Sequence, residues 1–273
     1  MRQNLMKQNS WFRKCAQKFV QSFSAMAILL MPTAALADPP GDGWQLKFSD
    51  DFNGSSLDNS KWSPCFYWGS SNGCTNGGAG DLQWFQPDEV SVQDGILRIR
   101  AQKRSVVGEN NKVFQYTSGM IASHDKFAFQ YGYAEFRAKV PKGNGYWPTL
   151  WLLSQNKNWP PELDVAEFVG SNTNNVHMTL HYNDGGHKSS SGWWGGLDFS
   201  ADYHTYGVEW TSDKIVWYVD GVERRRYNGP GIPQEPMYVT ATLALGAAWT
   251  VPPDGSTPFP GYLEIDHIKV WQR

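Results

Sequence analysis

Cysteine is scarce in this 273-residue chain, with three residues in all. No second Cys or His cluster accompanies them, so a cysteine-ligated metal centre is the weaker reading of the few that are present. No apolar run reaches the roughly 18 residues a membrane span needs. Runs of basic residues are missing too, which argues against nucleic acid as a partner. Helix signals are almost absent. No linker, repeat or low-complexity block interrupts the chain after its first few dozen residues.

Acidic residues are also missing from residues 1–37, where Arg2, Lys7, Arg13, Lys14 and Lys18 form a basic start. A short apolar stretch at 25–36 follows, and Ala35-Leu36-Ala37 precedes Asp38. Charge, apolar core and small-residue cleavage site together predict a secretory signal peptide over 1–37, the rival being an uncleaved anchor. Removing it takes five of the 24 basic residues and none of the 26 acidic ones, which leaves a net charge near −7. The protein is therefore expected to be exported, outside the cell or in the periplasm, with no membrane contact after cleavage. Cys15 leaves with the leader. Cys65 and Cys74 remain as an even pair in an oxidising compartment, and a local disulfide is expected. It would tie down the Gly-, Asn- and Ser-rich segment 69–80.

Strand signals recur through 38–273, which reads as one domain. They fall at 96–101, 119–123, 131–140, 147–153, 162–169, 176–182, 203–210, 215–219, 238–245 and 261–271. Asp213-Lys214 predicts a tight hairpin, and Asp220-Gly221 a second. Many short strands and few helices predict an all-β fold, an antiparallel sandwich or barrel.

Aromatic residues are plentiful: 14 Trp, 14 Phe and 12 Tyr. Many belong to a sandwich core. Trp68, Trp84, Trp159, Trp193, Trp194 and Trp249, however, lie among Gly, Asn and Pro rather than within apolar runs. Exposed indoles of this kind suit the apolar face of a sugar ring with polar groups around it.

Glu162-Leu163-Asp164-Val165-Ala166-Glu167 sets three carboxylates in an apolar strand with no nearby basic residue. Burying such groups is costly, so their presence points to chemistry by a Glu pair. Alternation places Glu162 and Asp164 on one face. Glu167 joins them only if a β-bulge at Val165-Ala166 absorbs one residue. The two Glu Cα atoms are then about 13 Å apart at roughly 3.3 Å per residue. Leaning side chains bring the carboxyls to about 6 Å, between the roughly 5–5.5 Å of retaining glycosidases and the roughly 6.5–9.5 Å of inverting ones. Asp164 is expected to hydrogen-bond and orient Glu162. The charges of both are expected to raise the pKa of Glu167 and make it an acid. A calcium-binding cluster or a solvated strand edge are the alternatives; calcium prefers a loop with a Gly, and these acids lie in an apolar strand.

The sequence resembles glycoside hydrolase family 16, the jelly-roll β-glucanases. The resemblance rests on Phe48-Ser49-Asp50-Asp51-Phe52, Asp81-Leu82-Gln83-Trp84-Phe85, Tyr116 through Ile121, Tyr131 through Arg137, and Gly145 through Leu153. It continues with the carboxylate strand, His204 through Trp210 and Ile265 through Trp271. It implies a concanavalin-like β-sandwich of two antiparallel sheets with a concave substrate cleft, and a single catalytic domain over 38–273. It implies Glu162 as nucleophile, Asp164 as assisting acid and Glu167 as acid/base, with retention of configuration and no cofactor for catalysis. The extra residue in the motif is that of the bulged, laminarinase-like branch. Trp147 and Trp151 then border the cleft, Trp159 precedes the motif, and His181 matches a polar residue facing the sugar. With Trp68 and Trp249, these are the expected substrate-binding residues. Asp266 matches a position that contributes to a structural calcium site.

The expected function is thus a secreted retaining endo-β-glycanase, acting as a monomer on a polysaccharide of β-1,3 or β-1,3/1,4 type. Trp159-Pro160-Pro161 and Gly246-Ala247-Ala248-Trp249 depart from laminarinase patterns. The first is similar to bacterial exopolysaccharide depolymerases of the succinoglycan-cleaving kind, so a glucose/galactose exopolysaccharide is the alternative substrate. A transglycosylase or a non-catalytic lectin on the same fold are further alternatives.

Overall fold

Apolar residues at every second position become strands with one buried face, and β4 below shows the pattern in six residues: Leu97, Ile99 and Ala101 are fully buried and their neighbours are not. The computed structural model describes residues 39–69, 74, 75, 78, 80–246 and 250–273. The expected leader at 1–37 lies outside the described residues, and so does Trp249. The first strands are β1 (Gln45–Asp50), β2 (Gln83–Phe85), β3 (Val90–Gln93), β4 (Ile96–Ala101), β5 (Val106–Val107) and β6 (Val113–Phe114). Next come β7 (Tyr116–Ser118), β8 (Met120–Ala122), β9 (Gly132–Lys139), β10 (Tyr146–Ser154), β11 (Glu162–Val169) and β12 (Asn172–Asn183). The last are β13 (His187–Gly195), β14 (His204–Trp210), β15 (Ile215–Val219), β16 (Val222–Tyr227), β17 (Met237–Leu245) and β18 (Gly261–Gln272).

Two antiparallel sheets hold most of them. One runs β16-β15-β14-β9-β18-β4-β3, with β1 also paired to β18, and the other runs β13-β12-β11-β10-β17-β8. Both predicted hairpins form. Thr211 N–H donates to the Lys214 carbonyl between β14 and β15. Asp220 (φ 51°) and Gly221 (φ 73°) both take positive φ between β15 and β16, as a type I′ turn demands.

The core lies between the sheets. Leu97, Ile99, Phe136, Val208 and Trp217 of the first sheet share one apolar cluster with Leu150, Leu163, Val165, Val176 and Val239 of the second. This is the all-β jelly-roll sandwich that the sequence predicts. The second sheet also carries apolar groups on its outer face. Phe66, Phe85, Leu153, Tyr238 and Ala244 form a separate cluster there, against which Trp147 and Trp151 pack. That explains why every residue of β17 is buried: odd positions face the core and even positions face this second layer. Cys65 and Cys74 are joined by the expected disulfide beside it.

Candidate active site

The outer face of the six-stranded sheet collects the chemistry-bearing side chains. Against β10, Leu150 pairs with Ala166 and Trp151 with Asp164, so one residue of β11 is skipped. Against β12, Asp164 pairs with Thr179 and Glu167 with His177, and again one extra residue is accommodated. The bulge therefore sits at Val165-Ala166, where both side chains join the core. Glu162, Asp164 and Glu167 all line one cavity on the opposite face. A bulge leaves ladder groups unpaired. Here the indole N–H of Trp217, from the facing sheet, donates to the Asp164 carbonyl at 2.8 Å inside the core.

Rows of residues can be followed across the strands. One runs Tyr238, Leu153, Glu162, His181, Ser189; the next runs Thr240, Trp151, Asp164, Thr179, Ser191; a third runs Thr242, Thr149, Glu167, His177, Trp193. Each carboxylate thus heads its own row of outer-face side chains. Thr149, Thr242 and Trp147 line the cavity beside Glu167, while Tyr67, Trp68, Trp159 and Tyr238 line an adjoining one that reaches Glu162. Trp151 borders both.

The three acids have different surroundings. The Trp159 indole N–H donates to Glu162 Oε2 at 2.8 Å, and His181 Nε2 stands 3.7 Å from Glu162 Oε1. Burial raises the Glu162 pKa above the ordinary carboxylate value, while His181 and the Trp159 hydrogen bond pull against that rise. Asp164 is 1% exposed, and His181 Nε2 lies 3.4 Å from its Oδ2. Neither Asp164 oxygen has a hydrogen-bond partner among the described residues. The expected hydrogen bond from Asp164 to Glu162 is therefore not formed, because the two side chains stand side by side on one strand face and each turns toward His181. Burial, and then the Glu162 charge, push the Asp164 carboxyl well up. Glu167 is held well above its usual value by burial first, then by Asp164 and Glu162. Its one weak counterweight of hydrogen-bond type is the Trp147 indole N–H, 3.3 Å from Oε1.

Trp68, 39% exposed, stacks on Phe66 with ring centroids 4.2 Å apart. Trp159 is 56% exposed and Trp193 67%, so both present open indole faces on the side of the carboxylates. Trp84 and Trp194 do not. Trp84 is buried against Phe114, and Trp194 faces inward beneath Arg224. Ligand atoms of Glu162, Asp164 and His181 lie within 4.8 Å of one another. Of their atoms, Glu162 Oε2 accepts from Trp159 and His181 Nδ1 meets His187 Nε2 at 2.9 Å, while His181 Nε2 and both Asp164 oxygens face one another without a hydrogen bond. Asp266, where a calcium site is expected, has a basic partner. Asp266 Oδ2 accepts from Arg137 Nη1 at 2.7 Å, so its charge is already matched. Among the described residues Asp266 belongs to no group of three metal-ligating side chains.

Residues 81–260 match the sequence profile described as glycosyl hydrolases family 16. The chain belongs to this family. Family 16 relatives include an endo-1,3-1,4-beta-glycanase, EglC, of Rhizobium meliloti, 37% identical over 238 residues that make up 82% of this chain and 51% of that protein. A glucan endo-1,3-beta-glucosidase A1 of Niallia circulans is 35% identical, covering 86% of this chain and 39% of that protein. The chain thus spans about half the length, or less, of these curated relatives. Among solved structures, the catalytic domain of an endo-1,3-beta-glucanase (laminarinase) from Thermotoga petrophila superposes with a TM-score of 0.75 at 31% identity, over 85% of this chain and 99% of that one.

Proposed function

We propose that this family 16 protein is an exported, retaining endo-β-glycanase that cuts internal linkages of a β-1,3 or β-1,3/1,4 glucan. The observation that carries the proposal is the unequal treatment of two glutamates on one bulged strand. Glu162 is supported as an anion by the Trp159 N–H and by His181. Glu167 is buried beside two other carboxyls and retains its proton further up the pH scale. Environments that set two carboxyls apart assign the acid and the nucleophile.

In the first step Glu162 attacks the anomeric carbon while Glu167 gives its proton to the leaving oxygen. An ester between Glu162 and the sugar forms and the glycosidic bond breaks. Glu167, now ionised, takes a proton from water, and that water attacks the anomeric carbon and frees Glu162. Burial first, and then the negative charge that Asp164 and Glu162 share, keep Glu167 protonated before the first step. No cofactor enters either step. Trp68, Trp147, Trp151, Trp159 and His181 hold the sugars near the scissile bond. Trp193, on the Glu167 row but two strands further out, extends the platform about 10 Å from that glutamate. The basic and apolar residues of 1–37 support export.

A second substrate reading has its own support. Trp159 lines the cavity that reaches Glu162, the two prolines after it line a neighbouring one beside Tyr182 and Asn183, and the Rhizobium meliloti endo-1,3-1,4-beta-glycanase is among the similar proteins. Both support a bacterial glucose/galactose exopolysaccharide of the succinoglycan kind as the alternative substrate. The test is a panel of laminarin, lichenan, agarose, carrageenan and succinoglycan-type polymers, read by product size, with Glu162→Ala as control. Large oligosaccharides from one or more polymers are expected, and none from the variant. Near-wild-type turnover by Glu162→Ala, or binding without release of reducing ends by the wild type, overturns the assignment.

A further inference from the structure

His187 opens β13, the polar edge strand, and sits diagonally across from His181, whose direct partner in the ladder is Ser189. Its Nε2 is 2.9 Å from His181 Nδ1. The two imidazoles stack with centroids 5.1 Å apart and planes 22° off parallel. On the other side, the Trp159 ring lies 4.7 Å from His187 and 6.1 Å from His181. The same Trp159 donates its N–H to Glu162. Three rings and a carboxylate therefore form one closed arrangement, and His187 is the member farthest from the reacting atoms.

We infer that His187 is a positioning residue: its Nε2–H, donated to His181 Nδ1, holds His181 in the tautomer that aims an Nε2–H at Asp164 and Glu162. The argument is one of hydrogen placement. With each ring neutral, only one hydrogen can lie between two nitrogens 2.9 Å apart. If His181 supplied it, its own Nε2 would turn a lone pair toward Asp164 Oδ2 at 3.4 Å and Glu162 Oε1 at 3.7 Å. A lone pair facing the Glu162 anion is repulsive. With the hydrogen supplied by His187, His181 faces the same oxygens with an N–H, and both contacts become favourable. An imidazole held by its second nitrogen is fixed in ring orientation as well as in tautomer, the logic of support groups behind metal-bound histidines. His187 thereby acts on the nucleophile through His181, and Trp159 clamps it from the solvent side.

The inference rests on the proposed roles of Glu162 and His181, but its test does not need turnover. In the intact protein, 15N–1H NMR of the His181 ring reads which nitrogen carries hydrogen. Wild type is expected to show hydrogen on Nε2 and none on Nδ1. His187→Phe keeps a ring against Trp159 and removes the donor; the His181 signal should shift to a mixture of tautomers. His187→Gln places an amide N–H near the same point and should restore the wild-type pattern. On whichever polymer the wild type cleaves, kcat of His187→Phe should fall about tenfold, the size of one oriented hydrogen bond, with KM nearly unchanged and with recovery in His187→Gln. A wild-type His181 that carries its hydrogen on Nδ1, or a His187→Phe variant with unchanged tautomer and kcat, overturns the inference. If the wild type cleaves no polymer, the proposed function fails while the NMR result still decides this one.

Discussion

Replacing Trp217 by Phe should unsettle the bulge that brings Glu167 into the cleft. Trp217 is fully buried, and its indole N–H is the partner of the Asp164 carbonyl at 2.8 Å. Phe leaves that carbonyl buried and unpaired, at a cost of about 1–3 kcal/mol. The smaller ring adds about 1 kcal/mol of cavity at roughly 24 cal/mol per Å³. Phe still offers an aromatic face to Arg225, which stacks 4.3 Å from the Trp217 ring, so that contact is largely kept. A total near 3 kcal/mol should lower Tm by about 6–12 °C in a domain of this size. The functional signature is more telling than the stability loss. Trp210 is equally buried and its N–H donates to the Pro233 carbonyl at 3.0 Å, away from β11. Trp210→Phe should therefore cost similar stability and leave kcat alone, whereas Trp217→Phe should lose both. Calorimetry and single-substrate kinetics below both midpoints measure this. Equal kcat losses in the two variants, or a Trp217→Phe midpoint within a degree or so of wild type, would refute the account of the bulge.

The raised carboxyls give two further expectations about stability. Because the folded pKa of Glu167 lies above its unfolded value, its ionised form costs stability once the pH exceeds the folded pKa, and the cost vanishes below about pH 4 where both states are protonated. Glu167→Gln should therefore have a higher Tm than wild type at neutral pH and lose that advantage near pH 4, as a thermal-shift series across pH would show; Asp164→Asn should behave alike, since Asp164 is at least as deeply buried. Trp193→Ala should raise KM for long oligosaccharides and leave short ones unaffected, because the indole lies two strands from Glu167; equal effects on both lengths would place Trp193 outside the substrate path.

The parts legible in the sequence were those set by local alternation. The bulge at Val165-Ala166 followed from an odd count between acids, and the hairpin at Asp220-Gly221 followed from residues that tolerate positive φ. The disulfide followed from there being two cysteines left to pair. What the sequence concealed is of another kind. β13 reads His-Lys-Ser-Ser-Ser-Gly-Trp-Trp-Gly, with no apolar alternation, because an edge strand over a polar cleft needs none on that face. His187 was invisible with it, since its meaning comes from lying across from His181. Trp84 looked like a platform among polar neighbours, yet it fills the space beside Phe114, which only folding brings near. Asp266 was read as a cation ligand, and its ion pair with the Arg137 guanidinium of β9, 129 residues away in the chain, was not legible.

These misses share a cause that also explains how the site is held. A carboxylate pays for its burial through neighbours, and on β11 none of those neighbours is sequential beyond Trp159. Glu162 depends on His181 one strand over, Glu167 on Trp147 of the opposite neighbouring strand, and the bulge carbonyl on Trp217 of the facing sheet. Three acids in one strand are thus kept usable by three indoles and an imidazole from separate elements. Their donors are chosen so that each carboxyl receives a different degree of support. Glu162 has the shortest hydrogen bond of the three and Asp164 has none, with Glu167 between them at 3.3 Å. The order of support runs against the order of burial, and in the proposed mechanism that opposition separates an anion ready to attack from an acid ready to give its proton.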